Sequence, residues 1–122
     1  MILLDTSVWI DHLRNGDSLV TNLLETNQVL GHPLVVGEIA LGTLANRREI
    51  LALLASLARA VIATHEETMS LIEFHELWGH GIGLIDAKLL AATFLTPDTT
   101  LWTRDRRLHG VAIELGCGYE ES

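Results

Sequence analysis

The first seven residues constrain the fold more than any other stretch of the chain. Residues 1–4 are apolar, and Asp5, Thr6 and Ser7 follow them directly. A short apolar run without alternation is typical of a strand buried on both faces. Asp, Thr and Ser are favoured residues at the start of a helix. The sequence therefore predicts a strand that passes directly into a helix, as α/β folds commonly begin.

The rest of the chain alternates between segments of helical spacing and short apolar or β-branched runs. Helices are predicted over residues 8–14, 17–25, 66–78 and 85–95, with a helical hairpin over 37–59. Strands are predicted over residues 29–36, 61–63, 99–103 and 111–115, with a turn at 104–107. Strands separated by helices indicate an α/β fold with a central, mainly parallel sheet flanked by helices.

The length and composition indicate one domain, residues 1–122. A chain of 122 residues with 48% hydrophobic residues can bury a sizeable core. No apolar run approaches the roughly 20 residues that a membrane helix needs, and the first residues lack a secretory signal. We therefore expect a soluble, cytoplasmic protein without membrane association. Cys117 is the only cysteine, so we expect a reduced and buried thiol.

The charge balance is acidic, which bears on the choice of partners. The chain has 16 Asp and Glu against 8 Lys and Arg, for a formal net charge of -8. An acidic surface repels nucleic acid but suits a basic protein partner. Acids that converge on a metal are neutralised there, and Arg104, Arg106 and Arg107 fall together in the sequence. The charge therefore weakens a nucleic-acid function without excluding it.

Four acids lie at or near the predicted strand ends and helix starts. They are Asp5, Glu38, Asp86 and Asp105. Ligands of parallel α/β sheets gather outside the carboxyl ends of the strands, so we expect these carboxylates to converge. Carboxylates drawn together need a cation, and oxygen ligands favour Mg²⁺, with Mn²⁺ as a substitute. Such an ion supports hydrolysis of a phosphodiester bond.

Hydroxyl and guanidinium groups flank these acids. Thr6, Ser7 and Thr103 carry hydroxyls suited to orienting a carboxylate or a water, and Thr6 and Thr103 are the predicted supporting residues. Arg104 or Arg106 is predicted to hold a substrate phosphate.

The acids lie within four stretches that resemble the motifs of the PIN-domain family, in the family's order. The stretches are Leu-Leu-Asp-Thr-Ser from Leu3, Val-Gly-Glu-Ile-Ala-Leu-Gly from Val36, Ile-Asp-Ala-Lys-Leu-Leu-Ala-Ala from Ile85 and Leu-Trp-Thr-Arg-Asp from Leu101. Together they span nearly the whole chain, and the local sequences are similar to VapC toxins of toxin-antitoxin systems.

The resemblance implies a three-layer PIN-like fold and Mg²⁺-dependent endoribonuclease activity on RNA. It also implies a homodimer and a cognate VapB-like antitoxin. By position, the acidic metal site consists of Asp5, Glu38, Asp86 and Asp105, supported by Thr6 and Thr103. Some relatives have a further acid shortly after the position of Asp86, where this chain has Lys88 and leucines. The number of metal ions therefore stays open.

Other chemistries fit the sequence less well. His75, Glu76 and His80 resemble a zinc-protease motif, but the histidines are five residues apart instead of four. A phosphatase of the haloacid dehalogenase type needs an acid where Ser7 stands. Taken singly, Asp5 could merely cap a helix and Asp86 could merely complement a helix dipole. The serious alternative is a catalytically silent PIN-like module that binds a metal or a protein.

Overall fold

The computed structural model describes residues 1–121, which contain three strands and seven helices. In chain order these are β1 (Ile2–Leu4), α1 (Thr6–Asn15), α2 (Ser18–Glu25), β2 (Val29–Leu30), α3 (Pro33–Ala40), α4 (Arg47–Ser56), α5 (His65–Phe74), α6 (Leu84–Leu95), β3 (Thr100–Trp102) and α7 (Arg106–Glu114).

The three strands form a parallel sheet in the order β2-β1-β3, which confirms the predicted α/β fold. Ile2 pairs with Val29 on one side and with Thr100 on the other. Strand β2 therefore lies on one side of β1 and strand β3 on the other, so the connection from β2 to β3 reverses the direction of winding. Because parallel crossovers are right-handed, this reversal predicts that α6 and the α1–α2 pair cover opposite faces of the sheet.

The hydrophobic core surrounds the sheet, and the largest side chains in this core are those of Trp9 and Trp102. β1 is buried throughout, and the rings of Trp9 and Trp102 are almost fully buried. The third tryptophan differs, because the side chain of Trp78 is 58% exposed. Cys117 is buried as predicted, and burial raises the pKa of its thiol to about 11, so the thiol stays protonated near neutral pH.

Side-chain caps explain where several helices begin. Asp5 accepts a hydrogen bond from the backbone of Ser7 at the start of α1, and Asp17 caps α2 in the same way. Thr64 and Glu67 form a reciprocal capping box at the start of α5. Such caps satisfy backbone N–H groups that otherwise lack partners, and each contributes about 1 kcal/mol. None of the helices in the described part of the chain is long and apolar enough to cross a membrane.

The predictions for residues 29–36 and 61–63 are partly wrong. The second strand contains only Val29–Leu30, and α3 begins at Pro33 instead of near residue 37. His32 caps this helix, and proline is well suited to the first helical position because its φ is already fixed there. Residues 61–63 form no strand, and the nearby sheet contact is a single parallel bridge between Gly31 and Arg59.

The prediction of a turn at 104–107 and a strand at 111–115 is also wrong, because α7 begins at Arg106 and continues through Glu114. Asp105 caps this helix by accepting from the N–H of Leu108. Leu108, Val111 and Ala112 are buried at a helical spacing. This periodicity outweighs the strand preference of the β-branched residues. Elsewhere the hairpin prediction is confirmed by α3 packing on α4, and α5 ends at Phe74, earlier than residue 78.

Candidate active site

The candidate site lies at the carboxyl edge of the sheet, between β1 and β3. Strand β1 leads into Asp5, and β3 leads into Thr103. The chain reverses its direction of winding at this point, and such a switch point is where parallel α/β sheets form their crevice. The pairing of Leu4 with Trp102 sets Asp5 beside Thr103. The backbone register thus brings two distant parts of the sequence together.

Asp5 is the most buried of the predicted acids, with 7% of its surface exposed. Its side chain accepts hydrogen bonds from the backbone N–H and the hydroxyl of Ser7, at 2.6 and 3.2 Å. Burial raises the pKa of Asp5 above its ordinary value, and the negative charge of Glu38 raises it further. Hydrogen bonding by Thr103 and Ser7 opposes this shift. Burial therefore opposes ionisation of Asp5, whereas its hydrogen bonds favour the ionised carboxylate.

Asp86 lies in the first turn of α6, where its carboxylate accepts from the N–H of Gly83 at 3.1 Å. Burial raises the pKa of Asp86, and the charges of Asp5 and Asp105 raise it further. Glu38 acts on the pKa of Asp5, and Asp5 and Asp105 act on that of Asp86. Each of the four predicted acids thus takes part in at least one of these charge interactions. The fold therefore brings Asp5, Glu38, Asp86 and Asp105 into one electrostatic neighbourhood.

The hydroxyl groups of Thr6, Ser7 and Thr103 form hydrogen bonds around these acids. The hydroxyl of Thr6 donates to Oε1 of Glu38 at 2.7 Å, and Oγ1 of Thr103 accepts from the N–H of Asp105 at 3.1 Å. Ser7 Oγ accepts from the N–H of Arg104 at 2.9 Å and lies 3.5 Å from Thr103 Oγ1. Ser7, whose hydroxyl the sequence indicated as suited to orienting a carboxylate, thus connects Asp5, Thr103 and the backbone of Arg104.

The acids suit a hard divalent cation in their chemistry. All four donors are carboxylates, and burial with neighbouring negative charge disfavours ionisation of Asp5 and Asp86. A cation would relieve this repulsion, and oxygen donors are what Mg²⁺ prefers. Within residues 1–121, no three His, Cys, Asp or Glu side chains are already grouped closely enough to hold a metal ion. The residue types fit Mg²⁺, but their side chains would have to draw closer around it.

Comparison with known proteins identifies the family of the chain. A family model described as PIN domain matches residues 2–114, nearly the whole chain. The chain belongs to the PIN-domain family. It is also 44% identical over 121 residues to proteins named Ribonuclease VapC32 from two strains of Mycobacterium tuberculosis, CDC 1551 / Oshkosh and ATCC 25618 / H37Rv. Each alignment covers 99% of this chain and 98% of the relative.

The two arginines beside the acids of this PIN domain differ in their surroundings. The guanidinium of Arg104 binds Asp11, Asp17 and Glu121 at 2.8, 2.6 and 2.6 Å. These carboxylates raise the pKa of Arg104, and its hydrogen bond holds the pKa of Asp17 below the ordinary value. Arg106 is exposed and forms no ion pair with any residue in the described range. Arg106 is thus the more accessible of the two for a phosphate.

The contact between Thr6 and Glu38 gives a testable expectation for the PIN-domain site. Thr6→Val removes the donor to Glu38 while keeping a similar shape, so we expect metal-dependent activity to fall by about 10- to 100-fold. Thr6→Ser keeps the hydroxyl and should lose much less. The measurement is the initial rate of RNA cleavage against Mg²⁺ concentration for both variants. Equal rates for Thr6→Val and wild type would exclude a positioning role for this hydroxyl.

His32 lies at the carboxyl end of β2 and caps the helix that carries Glu38. It is only 3% exposed, and its Nδ1 accepts from the N–H of Leu34 at 3.1 Å. Burial lowers the pKa of His32 below 6.5, and the positive charges of Arg59 and Lys88 lower it further. The cap therefore depends on a neutral imidazole.

The cap also predicts how stability depends on pH. Well above pH 6.5, His32 is neutral in both the folded and the unfolded chain. As the pH falls below 6.5, the unfolded chain takes up a proton that the folded chain resists, so folding stability is lost. His32→Asn keeps a capping acceptor that does not titrate, so urea midpoints from pH 8 to pH 5 should fall less steeply than for wild type. Between pH 8 and pH 5, wild type should lose about 1 kcal/mol more free energy of unfolding than His32→Asn. The same pH dependence in both proteins would contradict the capping role of neutral His32.

Proposed function

We propose that the chain is a Mg²⁺-dependent endoribonuclease that hydrolyses RNA phosphodiester bonds, and that it is the toxin of a VapBC-type toxin-antitoxin system. The observation that carries this proposal is the pairing of β1 with β3, which sets Asp5 beside Thr103 and the start of α7 at Asp105. Thr6 connects this edge to Glu38, and Asp86 lies in the first turn of α6. The similarity to Ribonuclease VapC32 along nearly the full length of both chains supports it.

In this proposal the four carboxylates hold the metal, and Mn²⁺ can replace Mg²⁺. When bound, the ion stabilises charge on a phosphoryl oxygen and lowers the pKa of a water that attacks phosphorus. Thr6 fixes the orientation of Glu38, and Ser7 fixes that of Asp5. Thr103 holds the backbone that leads into Asp105. These bonds hold the individual carboxylates, whose side chains would draw closer around the ion when it binds.

The proposed contact to the RNA backbone is Arg106, because it is exposed and has no carboxylate partner among residues 1–121. The guanidinium of Arg104 is largely occupied by its three acidic partners. Of these, Glu121 and Asp11 are the more exposed, with side chains 45% and 51% accessible. We therefore assign the primary phosphate contact to Arg106 and a secondary one to Arg104.

The proposed protein partners are a VapB-like antitoxin and a second copy of this chain. The net charge of -8 suits an antitoxin with basic residues, which can also neutralise the acids of the site. An apolar surface on α5, α6 and the segment between them suits a homodimer, because Phe74, Trp78 and Phe94 are 82%, 58% and 42% exposed there. His75 stacks on Phe94 within this surface. We place the toxin's action in the cytoplasm, where its RNA substrate is found.

A second candidate function is a catalytically silent module that binds a metal or a protein. Two observations favour it, namely the acidic net charge and the absence of a preformed metal-ligand cluster within residues 1–121. It predicts metal or partner binding without cleavage, so one assay separates the two functions.

The experiment that tests the proposal is cleavage of a mixed cellular RNA pool by antitoxin-free protein. We expect discrete products with Mg²⁺ or Mn²⁺ and none with chelator. Circular dichroism in each buffer controls for loss of the fold. Folded protein that binds metal, as measured by calorimetry, yet leaves the pool intact would favour the silent module.

A further inference from the structure

Two buried polar atoms lack a hydrogen-bond partner, and they belong to neighbouring elements. Among the buried side-chain nitrogen and oxygen atoms of residues 1–121, only Trp102 Nε1 and His109 Nδ1 have none. A buried polar group left without a partner costs about 1–3 kcal/mol, so such atoms usually have a function or an external partner. The indole of Trp102 is fully buried at the end of β3, and His109 lies in α7.

Both side chains border the same cavity, which has a volume of about 530 Å³. The remaining wall comes from Thr103, Arg104, Arg106, Tyr119, Glu120 and Glu121. Thr103 links this cavity to the candidate active site, because its hydroxyl lies 3.5 Å from that of Ser7 and accepts from the N–H of Asp105. The cavity therefore lies beside the proposed cleavage site and is of a size that small ligands occupy.

The charges around the cavity favour a neutral group over a phosphate. The guanidinium of Arg104 is already bound by three carboxylates, Glu121 among them, and Glu120 adds further negative charge to the wall. The half-buried ring of Tyr119 packs at 5.1 Å from that of Trp102 and contributes an aromatic surface. A planar group with hydrogen-bond donors and acceptors on its edge would satisfy both unpartnered atoms.

We propose that this cavity holds one unstacked nucleobase of the RNA, next to the phosphate placed at the acids. This inference rests on the proposed ribonuclease function and specifies how the substrate is positioned. Proteins commonly recognise single-stranded RNA by stacking splayed bases on aromatic side chains and hydrogen-bonding their edges. Both unpartnered atoms are closed to solvent in the unbound chain, so the base reaches them by displacing the side chains that cover them. The indole N–H of Trp102 then donates to an acceptor on the base, and Nδ1 of His109 bonds a second edge atom. Arg106, in the wall of the same cavity, contacts the adjoining RNA backbone.

The test is an NMR titration of the ¹⁵N-labelled full chain, in chelator so that no cleavage occurs. The chain has three tryptophans, so three indole N–H signals are expected, and Trp102→Phe identifies one of them. If this core variant does not fold, Trp9→Phe and Trp78→Phe assign the signal by elimination. The probes are AMP, CMP, GMP and UMP, with ribose 5-phosphate as the control without a base. We expect saturable movement of the Trp102 signal with at least one nucleotide and none with ribose 5-phosphate.

Two variants of His109 sharpen the test. His109→Phe keeps a ring but removes the nitrogen, so we expect nucleotide affinity to fall about fivefold. His109→Asn retains a polar atom near the position of Nδ1 and should recover most of the affinity. A Trp102 signal that ignores all four nucleotides at millimolar concentrations, or that moves equally with ribose 5-phosphate, would overturn the base site.

The cleavage assay separates failure of this inference from failure of the proposed function. An unmoved Trp102 signal together with metal-dependent cleavage would remove the base site and leave the ribonuclease. Nucleotide binding at Trp102 without any cleavage would support the base site and remove the proposed catalytic function.

Discussion

Asp5→Asn should reduce RNA cleavage by about a thousandfold while the protein stays folded. The substitution removes one proposed metal-ligand charge and changes little volume. Asparagine is as good a helix cap as aspartate, so the start of α1 should persist. Because burial and Glu38 raise the pKa of Asp5, replacing its carboxylate with a neutral amide should leave the thermal midpoint unchanged or slightly higher. The measurements are initial cleavage rates in Mg²⁺ and thermal unfolding followed by circular dichroism.

Asp17→Asn is the matched control for this substitution. Asp17 also caps a helix, accepting from the backbone of Leu19 and Val20, but it lies outside the four predicted acids. Its loss weakens one ion pair of Arg104, so a small decrease in stability is expected and cleavage should stay within about tenfold of wild type. Full activity in Asp5→Asn, or equal losses in both variants, would contradict the assignment of Asp5 to the metal site.

Leu54→Ala should lower the free energy of unfolding by about 2–4 kcal/mol. Leu54 lies in α4, is 3% exposed and belongs to the main hydrophobic core. The truncation removes buried methyl groups and leaves a cavity beneath the helix that packs on α3. A loss of this size lowers the thermal midpoint of a domain this small by roughly 10 °C or more.

The neighbouring residue provides the control for this core substitution. Leu53 lies on the same helix and is 45% exposed, so Leu53→Ala should cost less than about 1 kcal/mol. Urea unfolding of both variants measures the difference directly. Similar losses of stability in the two variants would contradict the expectation that burial of Leu54 stabilises α4.

The elements that the sequence predicts well are those whose signals are local. β1 and β3 are short apolar runs, and the caps at Asp5 and Asp17 follow ordinary helix chemistry. Helix α7 was missed because the β-branched Val111 and Ile113 favour a strand when they are considered alone. The burial of Leu108, Val111 and Ala112 on one side, with the cap at Asp105, determines the helix.

The parts of the site that the sequence could not supply depend on distant contacts. Ser7 reaches Thr103 and the N–H of Arg104 only because β1 and β3 are neighbours in the sheet. The carboxylates on Arg104 come from α1, the start of α2 and the C-terminal segment, and no local pattern connects them. Asp5, Asp86 and Asp105 were predictable because each follows a strand or begins a helix. Glu38 lies near the end of α3, and its contact with Thr6 depends on the fold.

The parallel pairing of β1 with β3 also bears on how proteins of this kind can diversify. Adjacent strands lie about 4.8 Å apart, a spacing fixed by main-chain hydrogen bonds and independent of side-chain identity. With Leu4 paired to Trp102, the backbone alone keeps Asp5 and Thr103 at neighbouring positions. Helix surfaces and loops can therefore change through mutation without altering that spacing. Substitutions at the periphery can thus alter surface shape and charge while the geometry of the candidate site stays the same.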